Sequence, residues 1–382
     1  MPECAGPLWP CGLTGAAACL SGVQGVGVII HGSAGCYFYP ATTLHSPIYC
    51  TSLSDHDIVL GTGDALVRTI DGILGRYSML AVLCTCTPAI IGEDIRQVIE
   101  EHYGASVRII VLDAPGFAGE YEAGFLSALS SLPLSIDVDQ QNSVNIDGLS
   151  LMDPFWRGNL QEIQRLLLLA GGESGATLCA GAFSFDSGLS SSTIHANPDL
   201  RSGFGTPVGT MIGLSSVKKT VAALEDRFCS NGGVISDQLI PDAEERVISA
   251  CDKYQRRFDP PTVGLFGQNL SMQAIAAMLT EYLGAEIACI GSRNSPSGGP
   301  FPVEMARDFE SVSKMLDRER PDLVLGSSFE QAAYPSAAFV GVTAPLRGTV
   351  RLHARPLAGI EGTLALMESV LNACMDHQKG AK

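Results

Sequence analysis

Positive charge is scarce in this sequence. Its 382 residues hold 24 lysines and arginines against 40 aspartates and glutamates, a net charge of −16. That argues against nucleic acid as a main partner, since neutralising a phosphate backbone needs a basic surface. Charge of either sign is low, at 17% of residues, while hydrophobic residues reach 46%. A disordered chain has the opposite balance. No run of ~20 apolar residues occurs, so no membrane-spanning helix is expected. Met1–Pro10 lacks the basic patch and apolar run of a secretory leader. The expectation is a cytoplasmic protein whose thiols stay reduced. Cys-x-x-Cys is absent among the 12 cysteines, which speaks against a zinc ribbon. No short internal repeat is visible.

What is present is a series of short apolar runs alternating with helical patterns. Gly27–Ile30, Met79–Cys84 and Val107–Leu112 read as buried strands. Leu13–Val23 and Gly92–His102 read as helices between them. Ile58–Gly63 followed by Asp64–Leu74 reads as strand, turn and helix. Ser130–Asn142 is polar and reads as a linker. Beyond it, the strands are Ser143–Gly148, Thr177–Ala180, Thr262–Gly267, Glu286–Ile290, Asp322–Gly326 and Ala338–Val342. Helices are expected at Leu160–Ala170, Leu214–Phe228, Asp242–Phe258, Ser271–Leu283, Glu304–Arg318 and Gly359–Ala373. The fold class is therefore α/β, with three tandem doubly wound, Rossmann-like units and mostly parallel sheets. The expected units are 1–135, carrying the cysteines discussed next, 136–258, and 259–382.

The chain is organised around CGLTGAAACLSGVQGVGVIIHGSAGC, which runs from Cys11 to Cys36. Cys11 directly precedes a helix of small residues, where free backbone N–H groups and the positive dipole end favour a thiolate. Cys36 and Cys86 each lie just beyond an apolar strand, at the edge where open parallel sheets bind ligands. Three thiolates on three different crossovers are placed to converge on an iron–sulfur cluster. Such clusters commonly take four cysteines, so one ligand is unassigned; Cys4 and Cys50 are the candidates. The alternative stays open that these cysteines simply pack the core, as Cys19, Cys84, Cys179, Cys251, Cys289 and Cys374 are read to do.

At these residues the chain resembles the nitrogenase component 1 superfamily. That family includes molybdenum–iron protein subunits, cofactor-scaffold proteins, dark-operative tetrapyrrole reductases and a nickel-tetrapyrrole reductive cyclase. The matching motifs are Cys11 with its helix, the H-G-x-x-G-C turn from His31 to Cys36, and T-C-x-P-x-x-I-G-x-D from Thr85 to Asp94. Later stretches agree in order: Asp113–Gly119, Val144–Gly148, Phe204–Pro207 with Ile212-Gly213, Pro321–Ser328, and Arg355-Pro356 with Gly359. The resemblance implies that Cys11, Cys36 and Cys86 hold an iron–sulfur cluster, 4Fe-4S or larger, at a subunit interface. It implies a homodimer or a similar partner subunit, and an ATP-hydrolysing iron protein as electron donor.

The middle unit departs from the family pattern. Ala182–Gly203 is brief, and no cysteine there matches the one that anchors the iron–molybdenum cofactor. Dinitrogen reduction is therefore not expected. His195, in this short stretch, reads as a surface or turn residue. His31 reads either as a hydrogen-bond donor to backbone or cluster sulfur, or as a structural part of its turn. Glu93 and Asp94 read as helix-start acids. The leading function is the catalytic component of a two-component ATP-dependent reductase acting on an unsaturated substrate, with a tetrapyrrole the leading class. The alternatives are a scaffold for assembly of a nitrogenase-type cofactor, and an α/β binding protein whose cysteines are all core.

Overall fold

The structure, a computed structural model, describes residues 8–137, 142–180, 183, 188–229 and 233–380. Cys4 lies outside them. The described chain holds three sheets, and every strand pairing within them is parallel. By chain contacts it divides into two compact units. One comprises Met1–Ser135, Ser150–Met152 and Leu178–Gly188; the other holds the remainder.

The first unit runs α1 (Gly12–Ser21), β1 (Val26–His31), α2 (Ala34–Thr43), β2 (Ile48–Cys50), α3 (Asp55–Leu60), α4 (Gly63–Ile73), β3 (Met79–Cys84), α5 (Cys86–Ile91), α6 (Ile95–Tyr103), β4 (Ile109–Asp113) and α7 (Tyr121–Ser130). Its strand order is β2-β1-β3-β4. β1 (VGVIIH) and β3 (MLAVLC) are buried along their whole length, as central parallel strands covered on both faces must be. One face packs Leu66, Ile70 and Ile73 of α4 and Ile95 and Ile99 of α6 against Ile29, Leu80 and Val82.

Helix α1 makes an unusually close pair with α7. A Cβ added at Gly15 would sit 1.9 Å from the Tyr121 carbonyl oxygen, and one at Gly124 would sit 1.9 Å from the Gly12 carbonyl oxygen. Only glycine permits backbones to meet so closely. The run Ala16-Ala17-Ala18 is fully enclosed; pointing to different sides of α1, these residues are covered by more than one neighbour.

The second unit begins with β5 (Ser143–Asp147), α8 (Trp156–Leu169), β6 (Glu173–Thr177), β7 (Ser192–His195), β8 (Thr206–Thr210), α9 (Leu214–Phe228) and α10 (Ile240–Gln255). It continues with β9 (Thr262–Gly267), α11 (Asn269–Leu283), β10 (Glu286–Ser292), β11 (Glu304–Met305), α12 (Phe309–Glu319), β12 (Leu323–Gly326), α13 (Ser328–Ala333), β13 (Ala338–Gly341) and α14 (Gly359–Gly380). The strand orders are β6-β5-β7-β8 and β11-β10-β9-β12-β13. The α/β class with parallel sheets is as the sequence predicted.

Several local expectations are corrected. Ile58–Gly63 is not a strand. Residues 55–60 form α3, opened by a capping box in which Ser54 accepts from the Asp57 N–H and the Asp57 side chain bonds back to Ser54. The strand of this region is the three-residue β2 instead. The turn after β1 is shorter than its motif suggests, because Cys36 already lies in the first turn of α2.

Candidate functional site

In an open parallel sheet, ligands settle beyond the carboxyl ends of the strands, where the strand order reverses. In the first sheet that point lies between β1 and β3, since β2 falls on one side of β1 and β3 and β4 on the other. Cys36 follows β1 and Cys86 follows β3, so they flank this crevice. Helix α1 precedes β1 and runs back along the sheet, which brings its N-terminal residue Cys11 to the same edge. Cys11 is the N-cap of α1, Cys36 lies in the first turn of α2, and Cys86 is the first residue of α5. Each sulfur thus sits at or in the first turn of a helix, where the positive helix end favours negative charge.

The structure brings the three thiols within electrostatic reach of one another. Burial pushes the Cys36 thiol up from its ordinary value, and the Cys86 and Cys11 thiols push it the same way. Hydrogen bonds from the Ser33 and Thr85 side chains oppose that rise. The Gly116 N–H donates to Cys86 Sγ at 3.1 Å, and Ser33 Oγ lies 3.8 Å from Cys36 Sγ. All three cysteines are half-buried. The neighbours Phe38, Leu60 and Ile90 are 68%, 71% and 73% exposed, an uncovered apolar rim.

Three crowded thiols repel once ionised, and a bound cation reverses that penalty. Among the described residues no three His, Cys, Asp or Glu side chains are drawn tightly enough around one point to hold a single metal ion. Ligands of one tetrahedral ion stand about 4 Å apart, whereas thiolates bound to separate irons of one cluster stand farther apart. By type, thiolates are the ligands that iron–sulfur clusters take, and these three stand at helix starts on one sheet edge. Cys50 ends β2, and its sulfur accepts the Ser52 N–H at 3.3 Å and rests on the Gly32 carbonyl at 3.7 Å. Cys84 closes β3 inside the core, its thiol pushed up to about 12 by burial.

His31 bonds neither backbone nor sulfur. Its Nε2 lies 2.8 Å from Thr62 Oγ1, and the Thr62 hydroxyl donates to Glu93. Because that hydroxyl proton goes to the carboxylate, Nε2 must carry the imidazole proton. Nδ1 is buried without a partner. Glu93 does not open its own helix. It accepts the Thr62 N–H at 2.8 and 2.9 Å and the Gly63 N–H at 3.0 Å, capping α4 across the sheet edge. Asp94 does cap its own helix, accepting the Gln97 N–H.

His31 carries a pH dependence. Burial lowers its pKa to about 4, against a smaller opposing effect of Glu93. The unfolded chain therefore binds a proton first, near pH 6.5, and stability falls as pH drops from there toward 4. Denaturation of wild type and His31→Asn at pH 7 and pH 5 is expected to show wild type losing about 2 kcal/mol more than the variant. Parallel losses would contradict the buried neutral imidazole.

His195 is also corrected. It is no surface residue but the buried last residue of β7, 3.2 Å from Asp147 Oδ2 on the adjacent β5, at an angle that makes no hydrogen bond. Asp147 Oδ2 accepts the Ser202 N–H at 2.8 Å, and Oδ1 is buried without a partner. These side chains lie at the order reversal of the second sheet, between β5 and β7. The sequence carried no sign of the pair, because its members are far apart in the chain and strand STIH is mostly polar.

Comparison with known proteins agrees with this architecture. The family model described as nitrogenase component 1 type oxidoreductase matches residues 11–375. The nitrogenase molybdenum-iron protein beta chain of Methanococcus maripaludis is 22% identical, over 97% of this chain and 94% of that protein. Shorter matches reach the nitrogenase iron-molybdenum cofactor biosynthesis protein NifE of Clostridium pasteurianum, 26% identical over 38% of this chain and 34% of that protein. They also reach component CfbD of the Ni-sirohydrochlorin a,c-diamide reductive cyclase complex of Methanothermobacter thermautotrophicus, 29% identical over 24% of this chain and 27% of that protein. A solved structure, nitrogenase Cp1 at pH 6.5, superposes with a TM-score of 0.78 at 18% identity, covering 97% of this chain and 93% of that one. No described helix is long and apolar enough to cross a membrane. With a family model spanning nearly its whole length, the chain belongs to the nitrogenase component 1 type oxidoreductases.

Proposed function

We propose that this chain is the catalytic component of a two-component, ATP-dependent reductase, in which Cys11, Cys36 and Cys86 hold an iron–sulfur cluster. The observation that carries the reading is the convergence of these three thiols at the order reversal of the first sheet. When bound, such a cluster supplies one-electron transfer. The protein's part is to set its charge and its access to water. The ends of α1, α2 and α5 and the Gly116 N–H offset thiolate charge. Phe38, Tyr39, Val59, Leu60, Ile90 and Ile91 are exposed apolar side chains on α2, α3 and α5, suited to be covered by protein. A second copy or a similar subunit would seal the half-buried sulfurs and supply the missing ligands. An iron protein hydrolysing ATP is the electron donor in this reading, and an unsaturated substrate, with a tetrapyrrole the leading class, is the acceptor.

The local likeness to NifE favours a second reading, a scaffold that passes a metal cluster on. The two separate in one anaerobic experiment. The protein is mixed with an iron protein of a two-component reductase, with and without ATP, and its reduction is followed by EPR. The reductase reading predicts a reduced signal that requires ATP and iron that stays bound. The scaffold reading predicts iron that leaves with an acceptor protein. A cluster reducible by dithionite but never by the iron protein with ATP would contradict the first reading.

The apolar rim yields a further expectation. Sedimentation of the iron-loaded chain should give a dimer, and Phe38→Asp should raise its dissociation constant by roughly tenfold or more, as for loss of a buried aromatic anchor. A wild-type monomer with full iron content would contradict an interface cluster.

A further inference from the structure

Cys19 and Cys179 are 160 positions apart in sequence, yet their Sγ atoms lie 3.1 Å apart in the first unit. Both side chains are fully enclosed. Two backbone contacts press these two stretches together. A Cβ on Gly22, the residue after α1, would lie 2.1 Å from the Cys179 carbonyl oxygen. The Gln24 N–H donates to the Phe183 carbonyl at 2.7 Å, and Val23 pairs with Phe183 as a parallel bridge. Cys179 itself takes a left-handed backbone, φ 57°, which few residues other than glycine adopt. The thiol pair is thus held by the backbone on both sides, and its sulfurs must close by about 1 Å to reach disulfide bonding distance.

We propose that Cys19 and Cys179 are an oxidisable dithiol that closes to a disulfide on two-electron oxidation. With hydrogen peroxide as the oxidant, one thiolate attacks the peroxide oxygen, giving a sulfenic acid and one water. The second thiol then attacks that sulfur, forming the S–S bond and releasing a second water. Two thiols and one peroxide give one disulfide and two waters, so both electrons lost by sulfur end on peroxide oxygen. A dithiol reductant reverses the step by exchange. The bond would tie the last turn of α1, whose first turn starts at Cys11, to the segment at 178–180. It is separate from the three thiols of the cluster reading and stands whether or not that reading holds. Burial of both sulfurs makes the step slower than any reaction of half-buried Cys36.

The test uses the intact protein, treated with graded hydrogen peroxide, denatured, alkylated and digested without reductant. The expected product is a linked peptide pair containing Cys19 and Cys179, two hydrogens lighter than the separate peptides and lost on dithiothreitol treatment. The thermal midpoint should rise by roughly 5–10 °C on oxidation, because the link closes a long loop of the unfolded chain. That rise should be absent in Cys179→Ala. Full alkylation of Cys19 and Cys179 after peroxide treatment, or a link from either one to a different cysteine, would overturn the proposal. The peptide map of the wild-type protein decides this even if the variant folds poorly.

Discussion

Cys36→Ala is expected to strip the protein of nearly all its iron, while Cys19→Ala keeps the wild-type amount. Both changes remove one sulfur from the same unit, and both sites are close to α1 or its neighbours. They differ in what the sulfur faces. Cys36 acts on Cys11 and Cys86 at the carboxyl edge of the first sheet, whereas Cys19 faces Cys179 in the enclosed interior. Loss of even an outer-shell partner commonly costs a metal site ~10–100-fold in affinity, and loss of a direct thiolate should cost more. Cys19→Ala removes a small hydrophobe and costs stability alone. Iron analysis of the two purified variants checks this. Equal iron in both would remove Cys36 from the ligand set.

Gly15→Ala should destabilise the protein by about 3 kcal/mol, in the range of overpacked cores, and should lower iron content as well. The sign is the informative part. In an open helix, replacing glycine by alanine stabilises by ~1 kcal/mol. Gly72 in α4 has nothing within 4 Å of where a Cβ would point, so Gly72→Ala should show that ordinary gain. At Gly15 the new methyl would meet the backbone of Tyr121 and Phe125, at 1.9 and 2.9 Å, and no rotamer change relieves a backbone clash. Helix α1 must shift off α7. Its N-cap, Cys11, and the bond from the Gly12 N–H to the Gly119 carbonyl at 3.1 Å move with it. Thermal melting of the two variants beside wild type checks the opposite signs; a stabilised Gly15→Ala would contradict the close α1–α7 contact.

Much of the fold was legible because its central strands are continuous apolar runs. VGVIIH and MLAVLC can hardly be anything but covered parallel strands, and small-residue α1 announces a tight contact. The cysteines of the candidate site were legible because each stands at a strand-to-helix passage or a helix start. Short elements were not. In β2, three residues carry no periodicity, and in α3 the apolar run Ile58–Leu60 imitates a strand while the helix signal sits upstream in Ser54 and Asp57. Long-range pairs were hidden too. Glu93 reaches across 31 positions to cap α4, His195 meets Asp147 only when β5 and β7 align, and Cys19 finds Cys179 only in three dimensions.

An iron–sulfur cluster on Cys11, Cys36 and Cys86 is the proposal on which the reductase reading rests. It is tested most directly by iron and acid-labile sulfide analysis of anaerobically isolated wild-type protein, with an EPR spectrum after dithionite reduction. The account predicts about four irons per dimer or per subunit, matching sulfide, and a reduced-cluster signal. Protein that is free of iron, and stays so after reconstitution with iron and sulfide, would contradict it and leave the three cysteines as ordinary residues of the sheet edge.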